Sequence, residues 1–412
     1  MKTARLEGSK ERLPWVSLLA LATAVFVTSL TETLPAGLLP EIGRDLAVSE
    51  SGAGQMITIY AIGTALTTVP LTAVTMRWRR KQLLLTAIGG FAVANSMTAV
   101  SASYELTMAA RFVAGMAAGV AWALLAGYAR RLVPEYLQGR AIAVSMAGIP
   151  VAFALGVPAG TFVGQQLGWR VAFWAMTAIA VVLTGWVIGW VPNFPGQARG
   201  HRTSTTATLL TPGVGAVLFV TLAFVLAHTV FYTYIAAFLD SINGGVRVDV
   251  ALLLFGIACL ASIWVVGAKI DRYSRWLAIG ATGLIVLAMV ALGIGGSSSV
   301  VVFCSIAVWG LAWGGAPTLL QTAVGVAGGR AADEAQAMLV TLWNVAMAGG
   351  GVVGGLLLSG IGPRSLPWAA LILLMPAAVV VVAARQHGFP SASKAAATIQ
   401  NAHPITGEHQ YG

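Results

Sequence analysis

Charged side chains are what this 412-residue chain has least of. Asp, Glu, Lys and Arg together make up 9% of it, against about 25% in a soluble globular domain, which excludes a water-exposed surface around most of the chain. Cysteine is nearly absent as well: Cys259 and Cys304 both lie inside apolar runs, so no disulfide framework exists and both read as core filler. There is no Gly-x-x-x-x-Gly-Lys-Ser/Thr loop and no insert large enough for a nucleotide domain, which removes an ATP-driven pump. Without a His-Glu-x-x-His pair or a serine elbow in a plausible context, a metal site or a membrane hydrolase has no support either. The chain is therefore not read as an enzyme, and no cofactor is expected beyond a proton gradient.

What is there is apolar length. Hydrophobic residues form 58% of the chain, the mean hydropathy is +0.83, and runs of about 20 apolar residues recur throughout, the mark of membrane-spanning helices rather than of a barrel. The 48 glycines fit close helix packing in lipid. Twelve spans are expected: 15–39, 52–74, 82–101, 106–129, 141–165, 170–191, 212–238, 249–268, 276–295, 299–326, 336–360 and 366–384. The basic start Lys2, Arg5, Lys10 and Arg12 precedes a run too long for a signal peptide and without a small-residue cleavage site, so the first span is read as uncleaved. Of the Lys and Arg residues, nineteen fall on the side of the termini and four (Arg44, Arg170, Arg247, Arg364) on the other, with Arg111 left inside a span. The positive-inside rule then makes both termini cytoplasmic, in a multi-pass protein of the inner (plasma) membrane. The excess of basic residues is accounted for by topology, and a nucleic-acid partner is discarded.

The polar stretch 192–211 divides six spans from six. The expected organisation is a six-helix bundle over 1–191, a cytoplasmic linker over 192–211, a second bundle over 212–385 and a disordered tail over 386–412. The halves echo each other, as in transporters built from repeats. In span 5, Gly156, Gly160, Gly164 and Gly168 recur every fourth residue; in span 11, Gly351, Gly355 and Ser359 do the same. Spacing of four places each set on one helix face.

Three ionisable side chains fall inside spans: Glu32, Arg111 and His228. Such residues are expensive in a bilayer and are functional by default. Glu32 and Arg111 both fall in the outer half of the membrane and are expected to form an ion pair poised for proton coupling; the alternative for Arg111 is that it snorkels to the outer headgroups. His228 lies at the depth of Glu32 in the second half, where it either relays protons or is a hydrogen-bonded core histidine. Gln55, Tyr60, Tyr232, Tyr234, Trp313, Gln321 and Asn344 offer polar and aromatic groups for a moderately polar organic ligand.

The basic loop after span 2 (Arg77, Arg79, Arg80, Lys81), Arg111-Phe-Val-Ala-Gly115-Met-Ala-Ala-Gly119, and Gly156-Val-Pro158-Ala-Gly160 running on to Gly164 and Trp169-Arg170 resemble the major facilitator superfamily. They are most similar to its proton-coupled drug antiporter branch and, with Thr31-Glu32-Thr33-Leu34-Pro35 and Ser51-Gly-Ala-Gly54, to the arabinose and purine-ribonucleoside efflux permeases. The resemblance covers nearly the whole chain. It implies two six-helix bundles around a cavity that opens alternately to each side, with Gly156, Pro158 and Gly160 bending span 5 at a bundle interface and Arg111 coupled to protons. It also implies a cytoplasmic gating motif. The first copy here lacks the usual Asp and central Gly, while the second keeps Gly267, Asp271, Arg272 and Arg275 around Tyr273-Ser274. A cytoplasmic latch would then rely on Asp271 or on Arg77, Arg79 and Arg80.

The functional expectation is a secondary active transporter, a proton-coupled efflux antiporter of a sugar, nucleoside or drug, acting as a monomer whose partners are solute, protons and the lipid bilayer. Its competitors are an uncoupled facilitator and a non-transporting membrane sensor or scaffold.

Overall fold

The structure is a computed structural model and describes residues 13–75, 77–134, 137–196, 205–242, 245–295 and 298–390. The basic N-terminal stretch, the linker residues 197–204 with Arg199 and Arg202, the tail from 391 onward and the side chains of Asp271 and Arg330 lie outside what is described. Among the described residues the chain is helical, with no strand. The long helices are α1 Trp15–Gly37, α2 Glu50–Thr75, α3 Arg80–Val100, α4 Tyr104–Arg131, α5 Arg140–Leu167, α6 Trp169–Trp190, α7 Val214–Thr233, α8 Val248–Ile270, α9 Arg272–Gly295, α10 Ser299–Gly328, α11 Glu334–Gly360 and α12 Pro363–Ala383.

Eleven of these are long and apolar enough to cross a membrane, α2 being the exception. At 26 residues α2 has the length; its hydropathy is lowered by Ser51, Gln55, Thr58, Thr64, Thr67 and Thr68. Thr64, Thr67 and Thr68 return their hydroxyls to carbonyls one turn back, the arrangement that makes a hydroxyl tolerable away from water.

Helix ends follow local chemistry. In α1 the regular helix stops at Thr33 and Leu34–Gly37 tightens into a 3-10 turn, because Pro35 has no N–H to continue the ladder. Ser103 caps α4, its Oγ accepting from Leu106 N at 3.2 Å. Gly168, at φ +94°, turns α5 into α6. Inside α5 the turn Ala152–Gly156 widens to a π-helix just ahead of Pro158, where the proline ring crowds the carbonyl four residues back. Two expected spans are interrupted: 212–238 breaks at Tyr234, after which Ile235–Ser241 is a separate short helix, and 299–326 breaks at Gly314–Gly315.

The core divides in a way that shows how the halves meet. On the face opposite the linker, one continuous apolar cluster takes residues from both halves, among them Leu34, Leu38, Met56, Ile57, Phe173, Phe231, Tyr234, Leu252 and Phe255. On the linker face there are two separate clusters. One, with Leu18, Leu21, Leu84, Ile88, Leu125 and Leu183, belongs to the first half; the other, with Val214, Val217, Leu320, Leu339 and Val381, belongs to the second. The seam between α2 and α11 repeats this gradient. Ser51, Gln55 and Thr58 meet Gly355 and Gly351, but the same helix faces about two and three turns nearer the linker carry Leu66, 65% exposed, and Val340, 39% exposed. The bundle is sealed at the far face and parted at the linker face.

The connecting segments are partly packed against the helices. The beginning of the linker is clamped to the first half: Tyr128 Oη donates to Pro192 O at 2.6 Å, Arg131 Nη1 to Pro195 O at 2.7 Å and Arg80 N to Phe194 O at 2.9 Å. Its end forms the helix Thr205–Leu209. The tail does not lose structure at 386 either, since Phe389 is buried and Arg275 Nη1 donates to its carbonyl at 2.9 Å.

Candidate functional site

The interior of the first half holds two charges that do not touch. Arg111 is fully buried in α4. Its Nε donates to Met56 O of α2 at 3.4 Å and its guanidinium lies 4.9 Å from the centre of the Tyr60 ring, while Nη1 and Nη2 have no hydrogen-bond partner. The expected ion pair with Glu32 is not formed in this structure: neither side chain takes part in any of the ion pairs among the described residues. Snorkelling is likewise overturned, since no part of Arg111 reaches the surface. Glu32 lies close enough for its charge to act on Arg111 and Tyr60, and it is partly accessible. A carboxyl group can gain or lose a proton; a guanidinium cannot.

Arg111 is positioned by close approach of α2 and α4. Gly115 lies one turn on from it, and a Cβ there would overlap the carbonyl of Tyr60; the Thr64 hydroxyl fastens the contact, its one proton shared between Tyr60 O and Gly115 O, each 3.0 Å away. Tyr60 itself does not present its hydroxyl to a ligand. Oη donates to Thr28 O at 3.2 Å and the ring forms the floor beneath the guanidinium.

Across the seam stands an aromatic assembly around His228. Its ring is parallel to that of Trp313 at 3.4 Å and nearly parallel to Tyr232 at 5.1 Å, with Trp309 at 5.2 Å and Phe255 at 6.0 Å. Trp313 is also parallel to Phe224, at 5.7 Å, and touches Trp343. His228 Nδ1, Tyr232 Oη and Trp309 Nε1 are buried without hydrogen-bond partners, so the reading of His228 as a hydrogen-bonded core histidine is not met at Nδ1. Tyr232 Oη lies near Thr33 and Glu32 of α1, which brings the aromatic assembly and the carboxylate to one place. The rings are packed on one another and buried, with three polar atoms left unpaired among them.

The remaining predicted cavity residues are elsewhere. Gln55 and Tyr234 are partners in the far-face seam, Gln55 Nε2 donating to Tyr234 Oη at 3.2 Å. Asn344 Nδ2 donates within its own helix to Val340 O at 2.9 Å. Gln321 is exposed, and its carbonyl accepts from Gln336 Nε2 at 2.6 Å. Neither is brought to His228. The residues missed are Phe224, Phe255, Trp309 and Trp343. A signal for two of them, Phe224 and Trp309, is present: Phe224, His228 and Tyr232 recur every fourth residue, as do Trp309 and Trp313, which is the spacing of one helix face.

Residues 21–332 match the sequence profile of the Major Facilitator Superfamily. The chain belongs to that superfamily. Similar proteins include a probable sugar efflux transporter of Mannheimia succiniciproducens, 25% identical over 88% of this chain and 92% of its own length. Another is the transcription regulatory protein OpdE of Pseudomonas aeruginosa, 27% identical over 91% of this chain and 95% of its own. As a superfamily member this is a multi-pass membrane transporter, not an enzyme, and its motif residues can now be located.

The glycine face of α5 does not form the seam. Gly156 receives Phe26 and Leu30 of α1, Gly160 receives Leu34, and Gly164 receives Leu38 just past the end of α1, all within the first half, and α5 meets α8 through Phe153 and Ala154 against Gly256. In the second half the corresponding face does cross over, Gly351 and Gly355 lying against Thr58, Gln55 and Ser51 of α2. Arg77 and Arg79 of the first gating loop are exposed. Arg275 donates to Val382 O at 2.9 Å and to Phe389 O, so it holds the end of α12 and the tail within its own half. Arg272 lies 5.4 Å from the Tyr273 ring. None of these contacts bridges the halves, consistent with the parted linker face. At the opposite face Arg170 is paired with Asp45, which also accepts from Trp169 Nε1 at 2.9 Å. There too, the hydrogen bond and charge of Asp249 raise the pKa of the Arg247 guanidinium above its usual value.

Proposed function

We propose that this transporter is a proton-driven efflux antiporter of a small organic solute, with both termini in the cytoplasm and the linker face turned inward across the inner membrane. One observation carries the reading: Glu32 lies half-buried, within electrostatic reach of a buried guanidinium whose Nη atoms have no partner and close to Tyr232 of the His228 aromatic assembly. The name of the Mannheimia relative supports efflux and a sugar-like solute; the aromatic rings and unpaired polar atoms around His228 are of the chemistry such a ligand would need once the packed rings part.

In this scheme solute enters from the linker face while Glu32 is ionised, its charge balanced by Arg111. Rocking of the halves opens the far face, a proton from outside neutralises Glu32, the solute leaves, and the protonated protein returns to release the proton inward. Coupling requires that proton and solute bind the two states with different affinity. The test uses purified protein in liposomes under an imposed pH difference. Glu32→Gln should retain solute counterflow and lose accumulation against a gradient; accumulation at the wild-type level ends the proposal.

A further inference from the structure

Where α7 ends, Tyr234 leaves the helix (φ −111°, ψ 23°) and its ring enters the far-face seam, fully buried. The slot it fills is made of glycine. A Cβ on Gly54 of α2 would overlap the ring at Cε1, Cζ and Oη; one on Gly354 of α11 would lie 2.7 Å from Cε2, and one on Gly355 would lie 2.7 Å from Oη. The ring is therefore held between backbone of the first half on one side and backbone of the second on the other. Its hydroxyl donates to Gly351 O at 2.7 Å and accepts from Gln55 Nε2, which also donates to Gly351 O at 3.2 Å; beside them Ser51 Oγ donates to Gly355 O at 2.8 Å. The hydrogen bonds of Gln55 and Ser51 cross from one half to the other.

We infer that Tyr234 is the lock of the far-face gate: a wedge carried by the second half, keyed into a notch at Gly54 of the first, that must be withdrawn before the transporter opens to the far side. The notch exists only because residue 54 has no side chain. A ring wholly desolvated with its hydroxyl paired is stable where it is, and its withdrawal also breaks the bonds made by Gln55. Gly54 is the better point of attack than Gly354. A Cβ at Gly354 would also meet Val230 O at 2.9 Å inside the second half, whereas the three nearest atoms to a Cβ at Gly54 all belong to Tyr234. Gly54→Ala should thus strain the sealed state and leave each half's own packing intact.

The inference rests on the two-half, alternating-access reading but not on proton coupling, so its test uses neither solute nor gradient. In full-length protein lacking Cys259 and Cys304 (both to Ala), Thr58→Cys is placed under the lock; Thr58 is 4% exposed and lies against Gly351. Vesicles presenting the far face outward are treated with a membrane-impermeant maleimide. Gly54→Ala should raise the labelling rate about tenfold, and Tyr234→Phe, which keeps the ring and removes the hydroxyl's bonds, about threefold. Unchanged labelling in both variants overturns the lock. If Gly54→Ala does not reach the membrane, Tyr234→Phe decides alone, since a phenyl ring fits the same slot. Because Glu32 is untouched, failure here leaves the proton scheme standing, and failure of Glu32→Gln leaves the lock standing.

Discussion

Gly115→Ala tests whether the approach of α2 to α4 is what places Arg111. A Cβ at residue 115 would overlap Tyr60 O and lie 3.0 Å from Thr64 N, both of them backbone that cannot rotate aside. The helices must separate, which costs about 1–3 kcal/mol for an overpacked interior, and the Thr64 Oγ1 bond to Gly115 O is strained, at about 1 kcal/mol more. Taking the first half as the unit that responds, about 2–4 °C per kcal/mol gives a fall in the apparent melting temperature of about 4–16 °C. Gly127→Ala on the same helix is the control. Nothing lies within 4 Å of its added Cβ, so the gain of alanine over glycine in a helix should leave the protein unchanged or slightly more stable. The assay is thermal unfolding of the full chain in detergent, followed by loss of monodisperse protein. Since α2 carries Met56 O and the Tyr60 ring, the shift should be accompanied by reduced transport. Equal melting temperatures for the two variants would refute the account of α2, α4 and Arg111 as one packed unit.

Trp313→Ala removes the ring parallel to both His228 and Phe224; solute affinity should fall about tenfold or more with proton leak unchanged, measured as the concentration dependence of counterflow. Arg275→Gln takes away the guanidinium bonds to Val382 O and Phe389 O. The tail should become cleavable near residue 389 under limited proteolysis while the bundle stays intact, and wild-type resistance in the variant would contradict that anchoring role.

Much of the bundle could be read from composition because a bilayer constrains a chain so tightly. Every backbone group must be satisfied inside the segment, so each apolar run of adequate length is a helix, and the twelve expected spans correspond to α1–α12. α2 is the informative case. Its threonines and Gln55 weaken the apolar signal because they serve the seam and the contact with α4. The interruptions at Tyr234 and Gly314–Gly315 were missed since a run of apolar residues looks alike whether or not its helix is continuous. Phe224, His228 and Tyr232 share a helix face in any reading of the sequence, whereas their stacking with Trp313 depends on where α10 breaks.

The sequence by itself determined the membrane-spanning helices and the presence of Glu32, Arg111 and His228 within apolar spans, because hydrophobicity and the cost of a buried charge are properties of the residues in their own segments. Only the tertiary structure decided that Arg111 leaves its Nη atoms unpaired, that Gly156, Gly160 and Gly164 serve α1 instead of the seam, and that Gln55 and Tyr234 close the far face. Those are questions of which helix lies beside which, and of how far apart two side chains sit once the helices have rotated into contact. Spacing along one chain fixes the face a residue shares but not the neighbour that face will meet.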